Sequence, residues 1–296
     1  MFNIKHLTFA TALFATLGLT ACQSVPTQTP NTPVPTTKSQ YQHIRNATAK
    51  INYAGKTFLV DPYLAEKGRY LAPNATIRNP LIDLTQSIEE ILSGVDAVIV
   101  THTHLDHWDE VAQEVIPKDL PIFVQNAGDA RLIREQGFTD VRVMGKNTPF
   151  GDVKLTRTRG QHGTDEMYSD PKIAEMVGDA MGVVFQAKGK PTIYLAGDTI
   201  YNHEIAHNLK FYQPDFIVLN AGYAKIPNFE GSPIMGLADV ARIHNDHSTK
   251  AIIATVHMDA LPQTAVSSSQ MREFVKHHDL TRVIVPKSGD IIQLDF

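Results

Sequence analysis

At 296 residues the chain is long enough for one large domain or two small ones, and 43% hydrophobic residues suits a folded protein with a sizeable core. Lysine and arginine number 27 against 31 acids with no basic run, which argues against nucleic-acid binding through a broad electrostatic footprint. The single cysteine, Cys22, excludes an internal disulfide and a cysteine-based metal site.

The N-terminus carries Lys5, then an apolar run over residues 7–19, then Leu19-Thr20-Ala21-Cys22. A short apolar core followed by small residues reads as a secretory signal, too short for a comfortable membrane span. The tetrapeptide resembles the bacterial lipobox. That resemblance implies that residues 1–21 are a signal peptide, that Cys22 becomes an acylated N-terminus, and that the membrane is a partner through this lipid. Removing the signal takes Lys5 with it and leaves a net charge of 26 − 31 = −5. Gln23 in place of aspartate points, by resemblance to bacterial lipoprotein sorting, to the outer membrane facing the periplasm. Residues 22–40 are rich in Thr, Pro, Gln and Ser, with almost nothing to bury, and read as a disordered tether.

Folded sequence, 41–296, opens with strand-like runs at 44–53, 57–60, 97–100, 122–124, 141–144 and 153–158. A second series follows at 181–186, 192–195, 216–219, 251–256 and 283–285. Helical spacing is visible at 85–92, 129–135, 233–245 and 267–277. Strands mixed with helices in both halves predict a layered α/β protein rather than a bundle or a pure sandwich.

The chemistry is concentrated at strand ends. Val98-Ile99-Val100 reads as a buried strand, and the chain leaves it through Thr101-His102-Thr103-His104-Leu105-Asp106-His107. In an extended segment residues i and i+2 face the same way, so His102 and His104 can grip one ion together. Asp106 and His107 then offer a carboxylate and an imidazole to a second position. His162 stands in Gly160-Gln161-His162-Gly163, Asp198 closes Leu195-Ala196-Gly197-Asp198, and His257 ends an apolar strand. A buried strand has no use for a terminal Asp or His unless it is paired, and one shared site is the simplest partner for all of them. Imidazole and carboxylate suit divalent ions such as zinc or manganese.

The ordered set His-x-His-x-Asp-His, an isolated His, Gly-Asp-Thr and a final His resembles the metallo-β-lactamase superfamily over 41–296. Residues 215–222 and the His257-Met258-Asp259 turn look closest to its UlaG-like branch, which includes ascorbate-phosphate lactonase. The resemblance implies an α/β four-layered αβ/βα sandwich and two divalent metal ions, zinc favoured and manganese the alternative. It places His102, His104 and His162 on the first ion, Asp106, His107 and His257 on the second, and Asp198 between them. Asp61 matches an early aspartate that orients a ligand rather than binding metal. The implied function is hydrolysis of a small-molecule substrate, a lactone or phosphoester in preference to a β-lactam, by a hydroxide bridging the two ions. Asp106 is the residue expected to aim that hydroxide.

Two rival readings remain at this point. His203-Glu204-Ile205-Ala206-His207 matches the zinc-peptidase pattern His-Glu-x-x-His, but Lys210 stands where the extended pattern has glycine. A tethered envelope protein also need not be an enzyme, with metal serving only stability; structural zinc sites, however, close four ligands around one ion. His43, His244, His247, His277 and His278 are expected on solvated surface, and Trp108 and Asp109 to pack and cap a helix following the ligand cluster. Residues 66–82, with Arg69, Tyr70 and Arg78, and residues 164–179, with Tyr168, are long segments placed as lids. Tyr223 is a possible proton donor.

Overall fold

The computed structural model describes residues 38–71, 76–246 and 249–295; Cys22, the signal segment, most of the tether and His247 lie outside them. The first half builds β1 (Gln40–Arg45), β2 (Thr48–Tyr53), β3 (Lys56–Val60), β4 (Ala97–Val100), β5 (Ile122–Val124) and β6 (Val141–Val143). The second half builds β7 (Thr148–Phe150), β8 (Val153–Arg159), β9 (Met181–Gln186), β10 (Ile193–Leu195), β11 (Phe216–Asn220), β12 (Ile252–Val256) and β13 (Val283–Ile284). β14 (Ile291–Gln293) returns to the first sheet. The sheet orders are β14-β1-β2-β3-β4-β5-β6 and β13-β12-β11-β10-β9-β8-β7.

The two sheets repeat one plan. β1-β2-β3 and β8-β9-β10 are antiparallel meanders, and each is extended by three parallel strands. The parallel crossovers supply the outer layers. In the first half these are α1 (Ile88–Leu92), α2 (Glu110–Val115) and α3 (Ala127–Glu135). In the second half the short α4 (Asp165–Ser169) and α5 (Pro171–Val177) lie in the connection between antiparallel β8 and β9, and the parallel crossovers are α6 (His203–Tyr212), α7 (Leu237–Asn245) and α8 (Ser268–His277). No helix among the described residues is long and apolar enough to cross a membrane.

Three apolar clusters define the layers. Phe58, Ile99 and Phe123 meet Val183, Phe185 and Phe216 between the sheets. Ile91, Ala112 and Ile133 cover the outer face of the first sheet, while Ile205, Val240, Ile243 and Met271 cover that of the second. The result is the four-layered αβ/βα sandwich of the metallo-β-lactamase fold, helices outside and sheets face to face. β4, buried on both faces, is apolar throughout for this reason, and β11 is apolar up to its last residue, Asn220.

Three expectations need correction. The run 44–53 is two strands, because Asn46 takes a left-handed conformation (φ 55°) and turns the chain between β1 and β2. His43 is not solvated; it is 7% exposed inside β1. Residues 164–179 are not an open loop but two capped helices, started by the side chains of Thr164 and Asp170. The expectation for Trp108 and Asp109 holds: the ring is buried, and the Asp109 carboxylate accepts the Ala112 N–H at the start of α2.

Candidate metal centre

All seven ligand positions lie in loops that leave the sheets at neighbouring strand ends. β4 delivers His102, His104, Asp106 and His107; β8 delivers His162, β10 delivers Asp198 and β12 delivers His257. The turn before Asp198 is set by Gly197, which has φ 72° and stands where a Cβ would lie within van der Waals overlap of the Met181 carbonyl. His257 itself is held at φ 63°, an uncommon conformation for a side-chain-bearing residue and one that recurs at functional sites.

The donor atoms converge. Three interlocking sets, His102/His104/His162, His102/His107/Asp198 and Asp106/His107/His257, each bring their ligand atoms within 4.8 Å of one another. The Oδ2 atom of Asp198 lies 3.3 Å from His107 Nε2, 3.5 Å from His257 Nε2, 3.6 Å from His162 Nε2 and 3.9 Å from His102 Nε2. Asp106 Oδ2 is 3.0 Å from His257 Nε2 and 3.5 Å from His107 Nε2. Metal bonds of roughly 2.1 Å set neighbouring ligand atoms about 3.0–3.4 Å apart in octahedral or tetrahedral geometry. Two of the six spacings, 3.0 and 3.3 Å, lie in that range, and the other four run from 3.5 to 3.9 Å.

In four of the five rings the second nitrogen fixes which lone pair faces inward; His257 Nδ1 is buried without a partner. His104 Nε2 donates to the Met176 carbonyl (2.9 Å) and His162 Nδ1 to the Pro233 carbonyl (3.0 Å). His107 Nδ1 donates to Asp61 Oδ2 (2.9 Å). The Thr101 hydroxyl donates to the same oxygen (2.8 Å), so its remaining capacity is to accept from His102 Nδ1 (3.2 Å). Carbonyl and carboxylate oxygens only accept, so each of these rings carries its proton on the outward nitrogen. The inward atoms are His102 Nε2, His104 Nδ1, His107 Nε2 and His162 Nε2. Two pairs of them approach closely, His102 Nε2 to His104 Nδ1 at 2.9 Å and His107 Nε2 to His257 Nε2 at 3.1 Å. Lone pairs held this close are what a shared cation requires, so the residues fit a metal centre.

Electrostatics divides the cluster in two. Burial, reinforced by the neighbouring imidazoles, holds His102 well below its ordinary value, and burial pushes His162 down to about 4. Both are neutral ligands at physiological pH. Burial also acts against charge on His107 and His257, but the carboxylates Asp198 and Asp106 outweigh it and raise both rings. In return His257 and His107 pull Asp198 and Asp106 below the carboxylate range despite burial. The side holding Asp106, His107 and His257 therefore favours positive charge most strongly.

Outside the ligands sits a second set of groups, part of it unforeseen. Asp61, expected as an orienting group, accepts from Thr101 N (2.7 Å) as well as from Thr101 Oγ1 and His107. Asn220 donates to Asp198 Oδ1 (2.5 Å), and Asn46 donates to Asp106 Oδ2 (3.2 Å). Tyr168 belongs here too: its hydroxyl accepts the His162 N–H (3.1 Å) and donates to the Gly178 carbonyl (2.9 Å). Asn220 carried a usable signal, since it ends a buried strand just as the ligands do. Asn46 carried none beyond that of an ordinary turn residue.

Other expected residues fall elsewhere. His203 and Glu204 sit at the start of α6, 3.6 Å apart and with the His203 side chain 88% exposed, and His207 stacks on Phe211. No metal-ligand cluster among the described residues includes them. Arg69 pairs with Glu66 (3.6 Å), and Arg78 donates to the carbonyl of Arg69 (3.2 Å), so both lid arginines turn onto their own loop. The Tyr223 ring packs on Gly236 beneath Lys225 and is described in no contact with a ligand.

Fold and site together define a metallo-hydrolase of the β-lactamase superfamily. Residues 56–258 match the family model for the beta-lactamase superfamily domain. The UPF0173 protein YddR of Bacillus subtilis is 40% identical over 252 residues, 83% of this chain and 96% of that one. A possible metal-dependent hydrolase from Veillonella parvula superposes with TM-score 0.84 at 46% identity, covering 87% of this chain and all of the other. The isothiocyanate hydrolase from Delia radicum gut bacteria superposes with TM-score 0.81 at 39% identity, covering 86% and 98%. The chain belongs to the UPF0173 metal-dependent hydrolase family of the β-lactamase superfamily.

Proposed function

We propose that the centre would hold two divalent ions, with Asp198 a ligand shared by both, and that the protein hydrolyses a small molecule at an electrophilic carbon. The observation that carries this is the position of Asp198 Oδ2 among the Nε2 atoms of four histidines drawn from three loops. His102, His104 and His162 would hold one ion; Asp106, His107 and His257 would hold the other. Five imidazoles and two carboxylates favour zinc over harder ions. When bound, the pair supplies a water ionised near neutral pH and a Lewis acid for the substrate.

The protein's own part is positioning. Asp106 and His104 are the two ligands not fully buried, so the mouth of the site lies at the 104–106 turn. Asp106, kept below the usual carboxylate range, is a poor base and a good hydrogen-bond acceptor, suited to aiming the nucleophile rather than stripping its proton. Asp61, Asn46, Asn220 and Tyr168 hold the ligands in place, so little reorganisation is needed during reaction.

For the substrate we place an isothiocyanate first, ahead of the lactone or phosphoester that the sequence resemblance suggested, on the strength of the 39%-identical isothiocyanate hydrolase. Water adds across the central carbon, the carbon–nitrogen bond then breaks, and the products are the amine and carbonyl sulfide. The test is a panel of isothiocyanates, lactones, aryl esters, bis(p-nitrophenyl) phosphate and a chromogenic cephalosporin, using zinc-loaded protein beginning after Cys22. Turnover of isothiocyanates that disappears in His104→Ala supports the reading. Equal turnover by wild type and His104→Ala would overturn it.

A further inference from the structure

The described chain has nine large apolar side chains that are strongly exposed. Five are scattered over edge strands and outer helices, as single surface residues usually are. The other four, Leu71, Ile77, Leu105 and Met176, are 41–54% exposed and belong to three segments that border the metal centre.

Leu105 lies between His104 and Asp106, the two ligands that open to solvent. Met176 ends the segment whose carbonyl receives the His104 Nε2 proton, so its side chain is anchored beside the first metal position. Leu71 and Ile77 lie just inside an antiparallel bridge in which Tyr70 and Asn79 exchange backbone hydrogen bonds (2.8 and 2.9 Å). That bridge is fixed at the other side of the centre. Tyr70 stacks on Tyr63, two residues beyond Asp61, and both pack with Ala260 and Leu261, which follow His257. Leu81 N also donates to the Ala260 carbonyl (2.8 Å). Leu71 and Ile77 on one side and Met176 on the other thus flank the mouth, with Leu105 between them.

Charge around this mouth points the same way. Residues 164–179 carry Asp165, Glu166, Asp170, Glu175 and Asp179 against Lys172 alone, which is 1 − 5 = −4. Arg69 and Arg78, on the opposite side, are committed to Glu66 and to loop carbonyls. A phosphorylated or carboxylated substrate would meet an acidic segment on one side and arginines already engaged on the other.

We infer that the substrate is a neutral electrophile bearing an apolar alkyl or aryl substituent, gripped by Leu71, Ile77, Leu105 and Met176 while its reactive carbon sits at the metals. This deepens the hydrolase reading and rests on it for the location of the reacting carbon. Binding is measured separately from catalysis so that the two can fail independently.

Isothermal titration calorimetry on the zinc-loaded protein would follow a series of n-alkyl hydroxamates, from acetohydroxamate to octanohydroxamate, with a chain-terminal carboxylate analogue as the anionic control. Half-burial of the chain at an open rim predicts Kd falling about twofold per methylene, roughly 60-fold across the series. The carboxylate analogue should lose most of that gain. Ile77→Ser and Met176→Ser should each flatten the slope. A slope with no turnover of any panel substrate would sink the hydrolytic reading and leave the rim standing. A Kd independent of chain length, or tighter binding of the carboxylate analogue, would overturn the rim whatever the enzyme turns over.

Discussion

Asn220 donates its side-chain amide to Asp198 Oδ1 at 2.5 Å, which turns Oδ2 of the same carboxylate toward four histidine nitrogens. The orientation of this carboxylate is thus set one strand away, since β10 leads into Asp198 and its parallel neighbour β11 ends in Asn220. Asn220→Ala frees the carboxylate to rotate. Metal affinity should fall about 10–100-fold, as for other outer partners of metal ligands, with the fold intact. Metal titration monitored by calorimetry, beside circular dichroism, checks this; unchanged affinity would remove Asn220 from the account.

Asp61 acts directly on His107, a ligand of the second proposed ion, and reaches His102 only through the Thr101 hydroxyl. Its Oδ2 receives the proton of His107 Nδ1, which leaves Nε2 free to ligate. In Asp61→Asn an amide N–H faces that nitrogen instead, and the ring is driven to the tautomer with its proton on Nε2. Asparagine tolerates the left-handed backbone at this position (φ 45°), so the fold should survive. Elemental analysis should find the metal content halved. Two full equivalents in this variant would contradict the tautomer argument.

His43 makes stability depend on pH. Burial pushes its imidazole down to about 4, against the pull of Asp290 and Asp259. The folded state therefore binds this proton less readily than the unfolded chain, whose value lies near 6.5. The contribution is fully present above about 6.5, is lost as pH falls toward 4, and reaches about 3 kcal/mol over that window. His43→Leu should shrink the difference in urea midpoint between pH 7 and pH 4.5, both proteins measured with chelator. An equal pH dependence in the two would refute the assignment.

Membrane attachment is a prediction from the N-terminal sequence. Expressed with its own leader in a bacterial host, the protein should partition into the detergent phase of Triton X-114, and Cys22→Ser should move it to the aqueous phase. Aqueous partitioning of the unsubstituted protein would remove the lipid anchor.

The clustered residues were legible chiefly because a polar residue at the end of a buried apolar strand has to be satisfied by something, and His102, Asp198 and His257 each follow such a run. The supporting groups were harder. Asn46 was hidden inside residues 44–53, whose apolar alternation continues across the turn as though it were one strand. The carbonyls of Met176 and Pro233 belong to the backbone and leave no trace in residue type. The helices around Tyr168 escaped notice because they are five and seven residues long, set by their caps rather than by an apolar repeat. β14, only three residues long and exposed at both ends, and β7, an edge strand containing Pro149, lack the burial that makes a strand recognisable.

The central claim, two ions bridged by Asp198, is tested most directly by metal stoichiometry. Protein beginning after Cys22 would be loaded with zinc, freed of excess, and analysed for metal per chain beside Asp198→Ala. The account predicts about two equivalents for the wild type and at most one for the variant, which loses the oxygen common to both positions. One equivalent or fewer in the wild type, or two in Asp198→Ala, would contradict it.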